Sequence, residues 1–128
     1  MILLLDTSTP VCKASFRGDG VHVDCEWESG RGLAKGLLGY LQEQLEAQGK
    51  SWTDVTGLGV FKGPGSFTGL RIGITVMNSL SYANTLPIVG EMGDTWQEKA
   101  LSRLANGEND EMVLPEYGGE ANITTPRK

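Results

Sequence analysis

The stretch Gly63-Pro-Gly-Ser-Phe-Thr-Gly-Leu-Arg-Ile-Gly73 constrains this chain more than any other. A short apolar run, Leu58–Phe61, precedes it and a long apolar segment, Leu70–Ala83, follows it. Those runs read as strand, glycine-rich turn and helix. Gly63 and Gly65 permit positive φ and close backbone approach, Pro64 sets one turn dihedral, and the Ser66 hydroxyl is placed to cap the helix. Phosphate-binding turns share this plan, but neither familiar fingerprint fits. The dinucleotide pattern G-x-G-x-x-G needs a glycine where the chain has Thr68, and Gly49-Lys50-Ser51 follows a helical run without the upstream glycine of a P-loop. Within the helix, Gly69 and Gly73 fall on one face. An interior glycine costs about 1 kcal/mol relative to alanine. The spacing therefore predicts a flat face where another helix or backbone comes close.

Length and charge bound the rest. A chain of 128 residues makes one domain with one core. The net charge of −5 argues against a nucleic-acid surface of its own, which would need clustered Lys and Arg. No apolar run approaches the roughly 18 residues of a membrane span, and Ile2–Leu5 is too short for a signal peptide, so a cytoplasmic protein with no membrane association is expected. Cys12 and Cys25 form no metal signature and should stay reduced.

Taken in order, Ile2–Leu5 is a continuous apolar run of the kind buried on both faces of a sheet. Cys12, Ala14 and Phe16 alternate with polar residues, as do Val21, Val23, Cys25 and Trp27, and Asp19-Gly20 between the two runs predicts a hairpin. Facing the two apolar sets together requires paired positions to sum to an odd number such as 39, which makes Cys12 and Cys25 diagonal neighbours. Leu33, Leu37, Leu41 and Leu45 predict an amphipathic helix, weakened by Gly36 and Gly39 and closed by Gly49. Val55–Phe61 reads as a strand, and the helix from about Ser66 to Asn84 is apolar nearly all round. One of its sides can pack on the sheet, while the other calls for a partner. Pro87–Val89 is a last strand, reached by a right-handed parallel crossover. Asp94 is the expected cap of a final helix, with Gln97 reaching back, ending near Ala105. The order β-β-β-α-β-α-β-α defines an α/β domain with a mixed five-stranded sheet over residues 1–105. Residues 106–128 read as a linker and flexible tail.

No catalytic constellation emerges, and no catalytic or metal-ligating residue is assigned. Asp6-Thr7-Ser8-Thr9, at the end of the first strand, is a candidate phosphate loop. The same residues suit a hydrogen-bonded strand-end turn, and that is the preferred reading. A nuclease needs several converging carboxylates, and the strand Gly57–Phe61 supplies none. His22 lies on the polar face of the hairpin with no Ser or Cys placed to need it. The candidate interface is the long helix: Ser66, Thr68, Gly69, Arg71, Gly73, Val76, Met77 and Leu80, with Arg71 as either a solvated surface residue or an anchor.

Lys62–Gly73 (KGPGSFTGLRIG), together with the opening Ile2–Thr9 (ILLLDTST), closely resembles the TsaB (YeaZ) family. The resemblance runs from residue 1 to about 105, with an echo of the family's tail in Val113-Leu-Pro-Glu-Tyr117. It implies an actin-like fold built on a ribonuclease H-type sheet. It also implies a non-catalytic scaffold that binds a TsaD-type subunit through helix 66–84, for threonylcarbamoyl transfer to adenosine in tRNA. Such a protein has no cofactor of its own, any ATP or ADP lying at the interface with the partner. A TsaE-type ATPase is a further partner candidate, a homodimer is expected for the chain alone, and tRNA is contacted only through the complex. On this resemblance most of the family's second domain is expected to be missing, with the polar stretch 106–110 at the junction. The family's His-Ser-Glu at the start of the first helix is replaced by Leu33-Ala34-Lys35. Two rival readings remain: an actin-like nucleotide-binding hydrolase using Asp6 and the Thr7–Thr9 loop, and a homodimeric interaction module.

Overall fold

The structure, a computed structural model, describes residues 1–18 and 20–117. Five strands form one mixed sheet: β1 (Ile2–Asp6), β2 (Val11–Gly18), β3 (Val21–Glu28), β4 (Gly57–Phe61) and β5 (Ile88–Glu91), in the spatial order β3-β2-β1-β4-β5. Three helices connect or follow them: α1 (Leu33–Ala47), α2 (Phe67–Asn84) and α3 (Trp96–Ala105). The apolar run 2–5 is the central strand, antiparallel to β2 and parallel to β4, and β4 is parallel to β5. Leu3 and Leu5 face one side of the sheet with Leu58, Val60 and Ile88, under α1 and α2. Leu4 faces the other with Val89, Trp96 and Ala100, under α3.

The hairpin pairs Cys12 with Trp27, Ala14 with Cys25 and Phe16 with Val23, so each pair sums to 39 as the apolar alternation requires. The expected turn residue Asp19 lies outside the described residues. Both cysteines are free thiols. Helix α1 buries Leu33, Leu37, Leu41 and Leu45 along one stripe. It closes with Gly49 at φ +71°, where Gly49 N donates to Glu46 O and Lys50 N to Leu45 O, the paired bonds of a Schellman cap. Gly36, a weak point by propensity, is where the Trp27 ring lies against the helix: a Cβ there would sit 2.9 Å from the indole. Trp27 in turn stacks on Tyr40 with ring centroids 4.9 Å apart.

Two sequence expectations give way here. Asp94 does not cap α3, which begins two residues later at Trp96 with no side-chain cap; Gln97 instead accepts a hydrogen bond from Arg17 Nη2 at 3.0 Å. Residues 106–117 are not a loose linker. Asp110 N donates to Ile88 O, and the Asp110 carboxylate accepts from Gly90 N, so this segment covers the outer edge of β5. Val113 is 2% exposed, and its N–H and C=O both bond to the Asn78 side-chain amide on α2, each at 2.9 Å. Glu116 N then donates to Lys62 O at 2.6 Å. The boundary drawn at residue 105 therefore cuts off a strap that is part of the folded unit. The remainder of the expected tail, 118–128, lies outside the described residues.

Candidate functional site

Two sequence runs far apart in the chain, Asp6–Thr9 and Gly63–Gly73, form a single lock in the structure. Asp6 ends β1, and its Oδ1 accepts from both Ser8 N (2.9 Å) and Ser8 Oγ (2.6 Å), which closes a tight turn. Ser8 O accepts from Ser66 N at 2.8 Å, and the buried Thr7 Oγ1 donates to Gly69 O at 2.7 Å. Ser66 is the N-cap of α2, its hydroxyl accepting from Gly69 N at 3.2 Å. The glycine ladder exists for this contact. A Cβ on Gly65 would lie 2.5 Å from Ser8 Cβ, one on Gly69 would lie 2.3 Å from Thr7 O, and one on Gly73 would lie 2.1 Å from Thr7 Oγ1. Such separations are far inside van der Waals contact, so only glycine lets the turn lie against the helix.

The lock changes the reading of both candidate sites. The side-chain donors of this turn are engaged within the chain: the Thr7 hydroxyl with Gly69 O, the Ser8 hydroxyl and Ser8 N with the Asp6 carboxylate, and the Thr9 hydroxyl with Val11 O at 3.2 Å. The geometry is that of the hydrogen-bonded strand-end turn. Gly69 and Gly73 face Thr7 of their own chain, not a partner helix, and Met77 and Leu80 are core residues at 0% and 8% exposure. The apolar wrap of α2 is absorbed by the sheet, by α1, by the Thr7 turn and by the strap at Asn78. The sequence shows that a flat face exists. It does not show that a turn returning from β1 fills it.

What stays open is the remaining side of α2. Ser66, Thr68 and Arg71 are exposed, and Val76 is half-buried. Thr68, Arg71 and Val76, with Ile72 and Thr75, line a shallow groove of about 400 Å³ whose far wall is Ala34 of α1. Ile72, Thr75 and Ala34 are not singled out by the sequence; Thr75 follows from the i+4 spacing once Arg71 is placed outward, whereas Ala34 comes from α1 and depends on how the two helices pack. In the triplet that replaces His-Ser-Glu, Leu33 enters the core, Ala34 lines the groove and Lys35 is exposed. At the N-terminal end of α2, Phe67 is 55% exposed, with the Tyr117 ring of the strap 4.4 Å away and the Arg71 guanidinium 5.4 Å from its centroid.

Among the described residues there is no group of three or more His, Cys, Asp or Glu side chains that could hold a metal, and no helix is long and apolar enough to cross a membrane. Burial pushes the Cys12 thiol up to about 12, with the Asp6 charge adding to the effect, and the Cys25 thiol is likewise raised by burial. Neither is an activated nucleophile.

The mixed sheet, with α1 and α2 on one face and α3 on the other, defines an α/β protein of the ribonuclease H-like, actin-like class. A family model described as "TsaD: tRNA N6-adenosine threonylcarbamoyltransferase" matches residues 28–92. The TsaB protein of Escherichia coli, described as a tRNA threonylcarbamoyladenosine biosynthesis protein, is 38% identical over 90 residues, which is 70% of this chain and 38% of that protein. A tRNA N6-adenosine threonylcarbamoyltransferase of Geotalea uraniireducens is 42% identical over 50 residues, 39% of this chain and 15% of its own. The solved structure of YeaZ from Pseudomonas aeruginosa superposes with a TM-score of 0.67 at 31% identity, covering 71% of this chain and 43% of that one. The chain belongs to the family that this model describes and, within it, to the TsaB (YeaZ) proteins. It spans less than half the length of the TsaB and YeaZ relatives it matches.

Proposed function

We propose that this chain is a scaffold subunit in tRNA threonylcarbamoyladenosine biosynthesis, docking a TsaD-type transferase through the groove between α1 and α2. The observation that carries the reading is the groove itself: it lies on the helix bearing the family motif, on the side of α2 that the described residues leave uncovered. Relatives named TsaB and relatives named as the transferase both match this chain. A pairing of related helical faces is therefore a natural arrangement, and for the chain alone it extends to a homodimer through the same groove. The catalytic centre, with any ATP or ADP, belongs to the partner or to the interface, and tRNA reaches the complex through the partner. The protein acts in the cytoplasm, where its thiols remain reduced.

The test is copurification from the cells the chain comes from. With the chain tagged, the TsaD-type subunit should be recovered at comparable yield. Recovery of neither that subunit nor a second copy of the chain would contradict the scaffold reading. The rival hydrolase reading depends on Asp6 and the Thr7–Thr9 turn, whose three hydroxyls already bond within the chain. The isolated chain should therefore turn over ATP no faster than an Asp6→Ala variant, since one engaged turn cannot surround a transferring phosphoryl group with positioned charge.

A further inference from the structure

The chain carries 16 acidic and 11 basic residues, yet the hollows on the outer side of α2 have the opposite character. The groove between α1 and α2 is lined by Arg71, and a second hollow, which shares Thr68 and Ile72 with it, is lined by Arg31. Among the described residues no carboxylate lines either hollow. Neither arginine has an ion pair among the described residues. Arg71 is nonetheless held: its guanidinium stands over Phe67, and Phe67 is backed by Tyr117 at the end of the strap. The strap is fixed just before that point by Glu116 N on Lys62 O and by the Asn78–Val113 pair. An arginine ordered by an aromatic ring loses less side-chain entropy when it engages a carboxylate, and the planar fork suits a bidentate bond.

We infer that Tyr117, Phe67 and Arg71 form a strap-supported clamp that receives a carboxylate of the docked TsaD-type partner. Arg71 makes the contact, while Phe67 and Tyr117 are positioning residues. The partner is a protein presenting an acidic side chain amid apolar ones: the groove is mostly apolar, and two arginines are too few to hold a nucleic-acid backbone in an acidic chain. This inference rests on the docking reading above, and it adds a role for the strap that the helix alone does not suggest.

The test measures affinity between the full chain and its TsaD-type partner by calorimetry, over a range of salt. Arg71→Gln should weaken binding on the order of tenfold, as loss of a hydrogen bond to a charged group does. It should also flatten the salt dependence. Tyr117→Leu keeps an apolar side chain at the end of the strap but removes the ring. It should weaken binding by a smaller factor, and this effect should vanish in the Arg71→Gln background. Tyr117→Phe should bind as the parent does, and Arg71→Gln should leave the thermal midpoint unchanged. Additive effects of Arg71→Gln and Tyr117→Leu would overturn the clamp. So would loss of tRNA binding by Arg71→Gln with partner affinity intact. If Val76→Asp abolishes the complex while Arg71→Gln does not weaken it, the groove stands and the clamp falls. If Val76→Asp is also silent, the docking reading itself fails, and the clamp with it.

Discussion

Thr7 is one buried residue, yet it accounts for the flat face of α2: its hydroxyl bonds Gly69 O and its atoms fill the space where Gly69 and Gly73 would carry a Cβ. Two opposed effects bear on Gly73→Ala. Helix propensity favours alanine by about 1 kcal/mol. Against that, a Cβ 2.1 Å from Thr7 Oγ1 forces the turn away, at a cost of about 1–3 kcal/mol for overpacking. The buried Thr7–Gly69 hydrogen bond is strained in addition, for another 1 kcal/mol or so. The sum is a loss of about 2 kcal/mol, readable as a lower midpoint in urea or heat. Substitution to leucine should be worse still. The diagnostic is the double variant: in a Thr7→Ala background, Gly73→Ala should be less damaging than in the parent. Equal damage in both backgrounds would mean that Thr7 is not what the glycine accommodates. A second prediction concerns the thiols. With burial holding the Cys12 thiol up to about 12, the native protein at pH 8 should resist alkylation at Cys12 and take up label there only on unfolding. Rapid labelling of Cys12 in the folded chain would contradict its placement in the core.

At the scale of elements, the hairpin and its register, the α1 stripe and the α2 boundaries were legible because each is written in local periodicity. The strap was not. Its anchors are long-range, Val113 to Asn78 across 35 residues and Asp110 to the edge of β5, and nothing in a polar run such as 106–110 announces them. The candidate site was half legible for the same reason. Thr68, Arg71 and Val76 follow from helical spacing, whereas the burial of Gly69, Gly73, Met77 and Leu80 depends on which neighbours the tertiary fold brings. Asn78→Ala removes both hydrogen bonds to Val113 and should cost about 1–2 kcal/mol, with faster amide exchange along 110–116. Unchanged exchange in that segment would show that the strap is held by something else. The strap also has an acid limit. Burial by itself would raise the Asp110 carboxyl, but hydrogen bonds from Arg103 and from Gly90 N outweigh it and hold the group below its ordinary 3.8. A depressed folded-state pKa contributes stability that is present above the unfolded value and lost as pH falls through the folded one. Strap release, followed by exchange or by Tyr117 fluorescence, should therefore begin only below about pH 4. Arg103, bonded to Glu91, Glu108 and Asp110, stays charged throughout.

For the whole molecule, one domain with its strap presents a single consistent arrangement. The motif that marks the family is consumed internally, locking β1 to α2, and this frees the opposite side of α2 to face outward beside α1. The central claim is that this outward groove docks a TsaD-type transferase. The most direct measurement is size-exclusion chromatography with light scattering at micromolar concentrations. It compares the parent chain and Val76→Asp, each mixed with the transferase subunit from the same genome. Val76 is half-buried, lines the groove and also packs against the core, so the variant's thermal midpoint is measured beside the parent's and the comparison is made at a temperature where both are folded. The account predicts a complex eluting ahead of either component for the parent and its absence for Val76→Asp. A complex that forms equally well with Val76→Asp, or none with the parent, would contradict it.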